Sequence, residues 1–267
     1  MMLAHELLSE GKPGAALAAL QQSVRADPAD AKHRIFLFQL LAVLGQWERA
    51  LAQLNMAAQL DADALPMAQV YREAIRCEVL RAGIFAGIRT PLVFGEPQPW
   101  LALLVDALRI AAGDPARAAA VRAEAFEQAI PSSGTLDGAP FAWLADADVR
   151  LGPVFEAIIN GRYFWVPAER VTRVEFEAPA DLRDAVWTPA RFTWTNGGDN
   201  VALVPTRYAG TAESGDAALQ LARRTEWMEE GALAGHGLGQ RMFATDSGEF
   251  ALMDVRVIEF ERQAGHG

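Results

Sequence analysis

Cysteine is almost absent from the 267-residue chain, where Cys77 stands alone. One thiol excludes an intrachain disulfide and a thiolate metal cage, and it points to a reducing compartment. Basic residues are also scarce: 24 Lys plus Arg face 34 Asp plus Glu, a net charge of −10. That balance argues against nucleic acid and anionic membranes as partners, because both need a basic excess. Apolar stretches such as Ile35 to Leu44 fall well short of the ~18 residues of a membrane span. The start, Met1-Met2-Leu3-Ala4-His5-Glu6, lacks the basic and apolar regions of a secretory leader, so a soluble cytoplasmic protein is expected. What the chain does hold is core-forming material, 51% hydrophobic and 22% charged, in a length that suits two modest domains.

Residues 1–130 read as helical, with 30 alanines and apolar spacings of three and four, as in Leu17-Leu20-Val24 and Leu37-Leu40-Leu41-Leu44. The stretch 131–140 is dense in Pro, Gly, Ser and Asp and reads as a linker. Beyond it, short aromatic and β-branched runs predict strands over Arg162–Val166, Val171–Glu177, Arg191–Thr195, Val201–Val204, Met242–Thr245 and Val255–Phe260. Asn196-Gly197-Gly198-Asp199 predicts a hairpin turn, and Ala217–Trp227 a helix. The expected fold class is therefore α+β. An all-α repeat domain (1–130) precedes a linker and a mainly antiparallel β domain with one helix (141–267). The second part carries most of the acidity, with 12 basic and 20 acidic residues after position 130 against 12 and 14 before it.

Shifting the first half by 34 positions superimposes Leu3 on Leu37, Leu7 on Leu41, Gly11 on Gly45, Ala16 on Ala50, Leu17 on Leu51, Leu20 on Leu54 and Asp27 on Asp61. The period and the order of glycine, small residue and apolar residues resemble the tetratricopeptide repeat, a helix-turn-helix unit. Glycine ends a helix in the left-handed conformation at no steric cost, and Asp27-Pro28 closes the first unit. Val79 occupies the next glycine slot, so the register fails there; Gly113 and Ala118 fit a further, weaker copy. Stacked helix pairs offer a concave surface to a peptide or helix. In this register His5, Lys32, Ile35 and Gln39 fall on the inner helices and are candidate partner-binding residues, with Tyr163 and Trp165 of the aromatic run Tyr163-Phe164-Trp165 as further candidates.

Catalytic signatures are missing: no phosphate-binding loop, G-x-S-x-G, H-E-x-x-H or EF-hand pattern occurs. The four histidines, His5, His33, His236 and His266, are scattered, and Cys77 falls on a helical stretch as a small buried hydrophobe. Gly235-His236-Gly237-Leu238-Gly239 lacks the dinucleotide spacing and reads as a loop. The densest polar group is Asp146-Ala147-Asp148-Val149-Arg150. Two carboxylates at this spacing suit acid–base work or a divalent cation; equally, Arg150 can neutralise one of them in a structural polar network. No metal and no cofactor is expected.

The run from Asp146 through Arg150-Leu151-Gly152-Pro153, Glu156 and Asn160-Gly161-Arg162-Tyr163 to Trp165-Val166-Pro167 resembles the ImpE/TagJ family of type VI secretion accessory proteins. Asp181-Leu182-Arg183-Asp184, Val204-Pro205-Thr206-Arg207-Tyr208, Thr225-Glu226-Trp227 and Gly239-Gln240-Arg241-Met242 extend the likeness in order. The resemblance implies a non-enzymatic adaptor that takes up the N-terminal helix of the small sheath subunit TssB and is linked to the ClpV ATPase that recycles the sheath. The rival readings are a hydrolase or metal-dependent enzyme on Asp146, Asp148 and Arg150, and a structural scaffold that dimerises.

Overall fold

The computed structural model describes residues 2–229 and 234–261. Helical hairpins open the chain: α1 (Met2–Ser9) with α2 (Pro13–Ala26), then α3 (Ala31–Val43) with α4 (Trp47–Leu60). Gly11 and Gly45 sit at φ +72° and +66°, so the two turns that the glycines predict do form. Asp30 caps α3 by accepting from Lys32 N at 2.7 Å and His33 N at 3.2 Å. Ala16 and Ala50 are fully buried, which lets neighbouring helices approach closely. The long α5 (Leu65–Phe85) runs straight through Val79, where a third turn would need a glycine. A hairpin of α6 (Pro99–Ala111) and α7 (Pro115–Gln128) completes the helical half, and the turn between them carries Gly113. None of the described helices is long and apolar enough to cross a membrane.

Between α5 and α6 the chain lends β1 (Leu92–Val93) to the sheet of the second half, parallel to β6 (Arg162–Pro167). Within 131–140, expected to be a linker, lie β2 (Gly134–Leu136) and the start of β3 (Ala139–Phe141). Its turn formers make a tight hairpin instead, with Asp137 at φ 49° and Gly138 at φ 84°. There follow β4 (Leu144–Asp146), β5 (Val154–Ile159), β6, β7 (Val171–Phe176), β8 (Trp187–Trp194) and β9 (Asp199–Pro205). The β8–β9 turn is the Asn196-Gly197-Gly198 segment, with Gly197 at φ 87°. Where one helix was expected over 217–227, α8 covers only Ala217–Gln220 and β10 covers Thr225–Trp227. β11 (Gly237–Gly239), β12 (Met242–Thr245), β13 (Gly248–Ala251) and β14 (Val257–Phe260) finish the described chain. Positions 230–233 and the tail with His266 lie outside the described residues.

The main sheet runs β1-β6-β5-β9-β8-β7-β14-β2-β3, antiparallel except at β1; β13-β12-β4 and β10-β11 form smaller sheets. Alternation along β6 sends Tyr163 and Trp165 towards the helices, into a core shared with Phe38, Leu41, Tyr71 and Ile75. Val166 faces the opposite core with Phe155, Phe192 and Phe243. The sheet is thus covered on both sides, and one of its two cores belongs to both halves of the chain.

Candidate partner-binding site

The inner surface of the helical pairs, the cradle expected to be open, is occupied by the chain's own second half. Residues Phe36–Val43 of α3 are all buried. The one-turn 3-10 helix Leu182–Ala185 packs against this helix. Gln39 Nε2 donates to Asp181 Oδ1 at 3.3 Å. Two arginines cap equivalent helix ends, where carbonyls lack intrahelical donors. Arg223 donates to Leu8 O at 2.7 Å and Ser9 O at 3.1 Å at the end of α1. Arg207 donates to Ala42 O at 3.5 Å and Val43 O at 2.7 Å at the end of α3. Leu8 and Ser9 correspond to Ala42 and Val43 under the 34-residue shift.

Behind these caps lies a buried ionic junction centred on Glu156 of β5, which is 1% exposed. Arg81 of α5 grips it from Nε at 2.5 Å and Nη2 at 3.0 Å. Arg241 Nη2 and the Tyr163 hydroxyl donate to the same carboxylate, and Trp165 Nε1 donates to Tyr163 Oη at 2.9 Å. Arg241 also bonds Asp146, while Glu78 takes Arg81 Nη1 at 3.3 Å and Trp187 Nε1 at 3.1 Å. Burial pushes the Glu156 carboxyl up, but Arg81 and Arg241 outweigh it and hold it at about 2. Asp146 keeps the opposite balance: burial lifts it to about 6 against the pull of Arg241. Burial also draws Arg207 down to about 10, since its head meets backbone carbonyls rather than a carboxylate.

Asp148 is fully buried and clasped by Arg150, whose Nε lies 2.8 Å from Oδ1, and by Gly237 N at 2.9 Å. Its hydrogen bonds from Arg150 outweigh burial and lower its pKa. Asp146, Asp148 and Arg150 thus bond to one another, to Arg241 and to backbone amides. No group of three or more His, Cys, Asp or Glu among the described residues could hold a metal ion.

The predicted binding residues separate into two groups. His5 and Lys32 are exposed and Ile35 is half-buried; the His5 ring stacks on Phe36 at 4.3 Å. Tyr163 and Trp165, offered for a partner, are instead 1% and 0% exposed, because their face of β6 is the one the helices cover. Gln39 is corrected likewise, being buried against Asp181. Sequence reasoning overlooked Glu78 and Arg81, although both lie on the α5 stripe with Tyr71, Ala74 and Ile84. Charged residues at core positions of a helix were the available signal.

An apolar surface lies open beside the smaller sheet. In the β13-β12-β4 sheet Ala145 pairs with Ala244 and Ala244 with Glu249, so these side chains share a face. The other face carries Asp146, Phe243 and Phe250, of which Asp146 and Phe243 are buried. Ala145, Ala147 and Ala244 floor a cleft of about 320 Å³ between this sheet and the end of α7. Its walls are Phe126, Ile130 and Trp143, exposed by 37%, 56% and 40%. Phe126 reaches the cleft because Gly152 has no side chain: a Cβ there would lie 2.3 Å from the ring.

The sequence profile of the ImpE protein family matches residues 138–259, and that of a tetratricopeptide repeat family matches residues 7–71. The type VI secretion system accessory component TagJ of Pseudomonas aeruginosa is 53% identical over 261 residues, covering 97% of this chain and 92% of the relative. The crystal structure of a Vibrio parahaemolyticus protein superimposes with a TM-score of 0.87 at 25% identity, covering 98% of each chain.

Proposed function

Because the chain belongs to the ImpE family, we propose that it serves as a non-enzymatic accessory component of a type VI secretion system and holds a helix of a sheath protein. The finer reading is that the occupant is the N-terminal helix of the small sheath subunit TssB, that the complex acts in the cytoplasm, and that it serves sheath recycling by ClpV. The observation that carries a helix-docking role is the alanine-floored sheet face walled by Phe126, Ile130 and Trp143. Small side chains let a helix backbone come close, while aromatic walls supply the buried anchors that dominate interface energies. Glu249 shares the cross-strand row of Ala145 and Ala244, so this face favours an occupant with basic residues along one edge.

The test is fluorescence polarisation with a labelled peptide of the TssB N-terminal helix. Trp143→Ala removes an anchor and should weaken binding roughly 30-fold. Ala244→Arg, which fills the floor with a long cation, should abolish it. Parent-like affinity in both variants would remove the cleft from the reading.

A further inference from the structure

A second groove, on the opposite charge balance, opens where α2, α3 and α4 meet. Its volume is about 300 Å³; Val24 of α2 and Ala52 of α4 form its apolar lining, over Leu37 and Leu41 of α3, which are 4% and 1% exposed. One wall carries Gln21 and Arg25, the other Arg49 and Gln53. No lining residue is acidic, and the lining holds two guanidiniums in a chain of net charge −10. The Arg25 side chain meets no carboxylate among the described residues, and Arg49 finds only the Gln46 amide oxygen. A third cation, Arg34, stands behind the wall and donates to Gln53 Oε1 at 3.0 Å. Because α2 and α4 both run antiparallel to α3, Arg25, near the end of α2, and Arg49, near the start of α4, mark opposite ends of the groove.

We propose that this groove docks an acidic amphipathic helix from a protein partner, which sets apolar side chains between Val24 and Ala52 and a carboxylate on each of Arg25 and Arg49. The apolar lining calls for hydrocarbon side chains on one helix face, which a phosphodiester chain lacks. The net negative charge of the whole protein also repels a polyanion while leaving a short segment to feel the local arginines. Carboxylates two helical turns apart, ~10 Å, let one helix present a negative charge towards each end of the groove. The surface is separate from the alanine-floored cleft and does not depend on the sheath-helix reading. An adaptor so built grips two segments of opposite charge.

The probe is a fluorescein-labelled, alanine-based helical peptide with Glu at i and i+7 and Leu at i+3 and i+4, compared with a twin in which Lys replaces Glu. Titrated with the full-length protein, the Glu peptide should bind at least about tenfold more tightly than its twin and weaken at least about tenfold between low and high salt. The double reversal Arg25→Glu/Arg49→Glu should invert the preference, and Arg25→Gln/Arg49→Gln, which keeps the helices intact, should erase it. Arg109→Glu, on α6, should leave it unchanged. Equal binding of the two peptides, no binding of the Glu peptide, insensitivity to both double variants, or tighter capture of an RNA oligomer would each overturn the proposal.

Discussion

Replacing Glu156 by Gln keeps the shape of the side chain and deletes one charge at the centre of the junction. Arg81 holds that carboxylate by two hydrogen bonds, with Arg241 and Tyr163 as further donors. All four residues are buried. Removing one partner from a buried ionic cluster costs about 3–5 kcal/mol, because the remaining charges keep their desolvation penalty without its compensation. Here two guanidiniums would be left facing a neutral amide. For a chain of this size each kcal/mol lowers the melting temperature by about 2–4 °C, so Glu156→Gln should melt roughly 10 °C below the parent in differential scanning calorimetry. Glu259→Gln is the control, because it breaks an ion pair with Arg173 at half-exposed side chains; its cost should stay below about 1 kcal/mol. A Glu156→Gln melt within about 2 °C of the parent would refute the claim that this junction holds the halves together.

Three further outcomes follow from the same geometry. Gly11→Ala should cost about 1–2 kcal/mol in urea unfolding through its positive φ alone. Gly45→Ala should cost at least about 1 kcal/mol more, because its Cβ would also lie 2.6 Å from that of Ala212. The Asp146 carboxyl rises from 3.8 to about 6 on folding, so it adds stability below its unfolded value and loses it as pH rises through 6. The melting temperature of the parent should therefore fall, relative to Asp146→Asn, between those two pH values; a flat difference would contradict the lifted pKa. Glu156 has the reverse sign, its contribution vanishing as pH drops from 4.5 towards 2. Cys77 is 4% exposed and its thiol is pushed up to about 12 by burial. Iodoacetamide at mildly alkaline pH should spare it in the folded chain and label it in urea, and rapid native labelling would contradict its burial.

Local punctuation was legible in the sequence. Gly11 and Gly45 stop helices, Asn196-Gly197-Gly198 turns a hairpin, and Val79 lacks the glycine that would have broken α5. Strand β5 was missed because Val154–Ile159 is buried on both faces, so its run does not alternate, and Glu156 in the middle reads as a solvent residue. The segment over 217–227 misled because its helical composition competes with a tertiary demand: β10 pairs with β11 at Thr225–Trp227. The quoted motifs share one physical cause invisible along the chain. Asp146, Glu156, Tyr163, Trp165, Arg207 and Arg241 converge with Arg81, 75 positions from Glu156, on a junction defined only by tertiary packing. The alanine-floored cleft was illegible for a related reason, since alanines at 145, 147 and 244 reveal a smooth floor only after two strands pair.

Arg223 and Arg207 grip carbonyls that lie one 34-residue unit apart, and this spacing works as a gauge for the number of coils upstream. Open solenoids tolerate the gain or loss of a module because each unit touches only its neighbours. Here the two grips come from one folded body, so an inserted pair between α2 and α3 would carry one helix end beyond reach of its guanidinium. The number of helices between the two clamps is therefore tied to the architecture behind them.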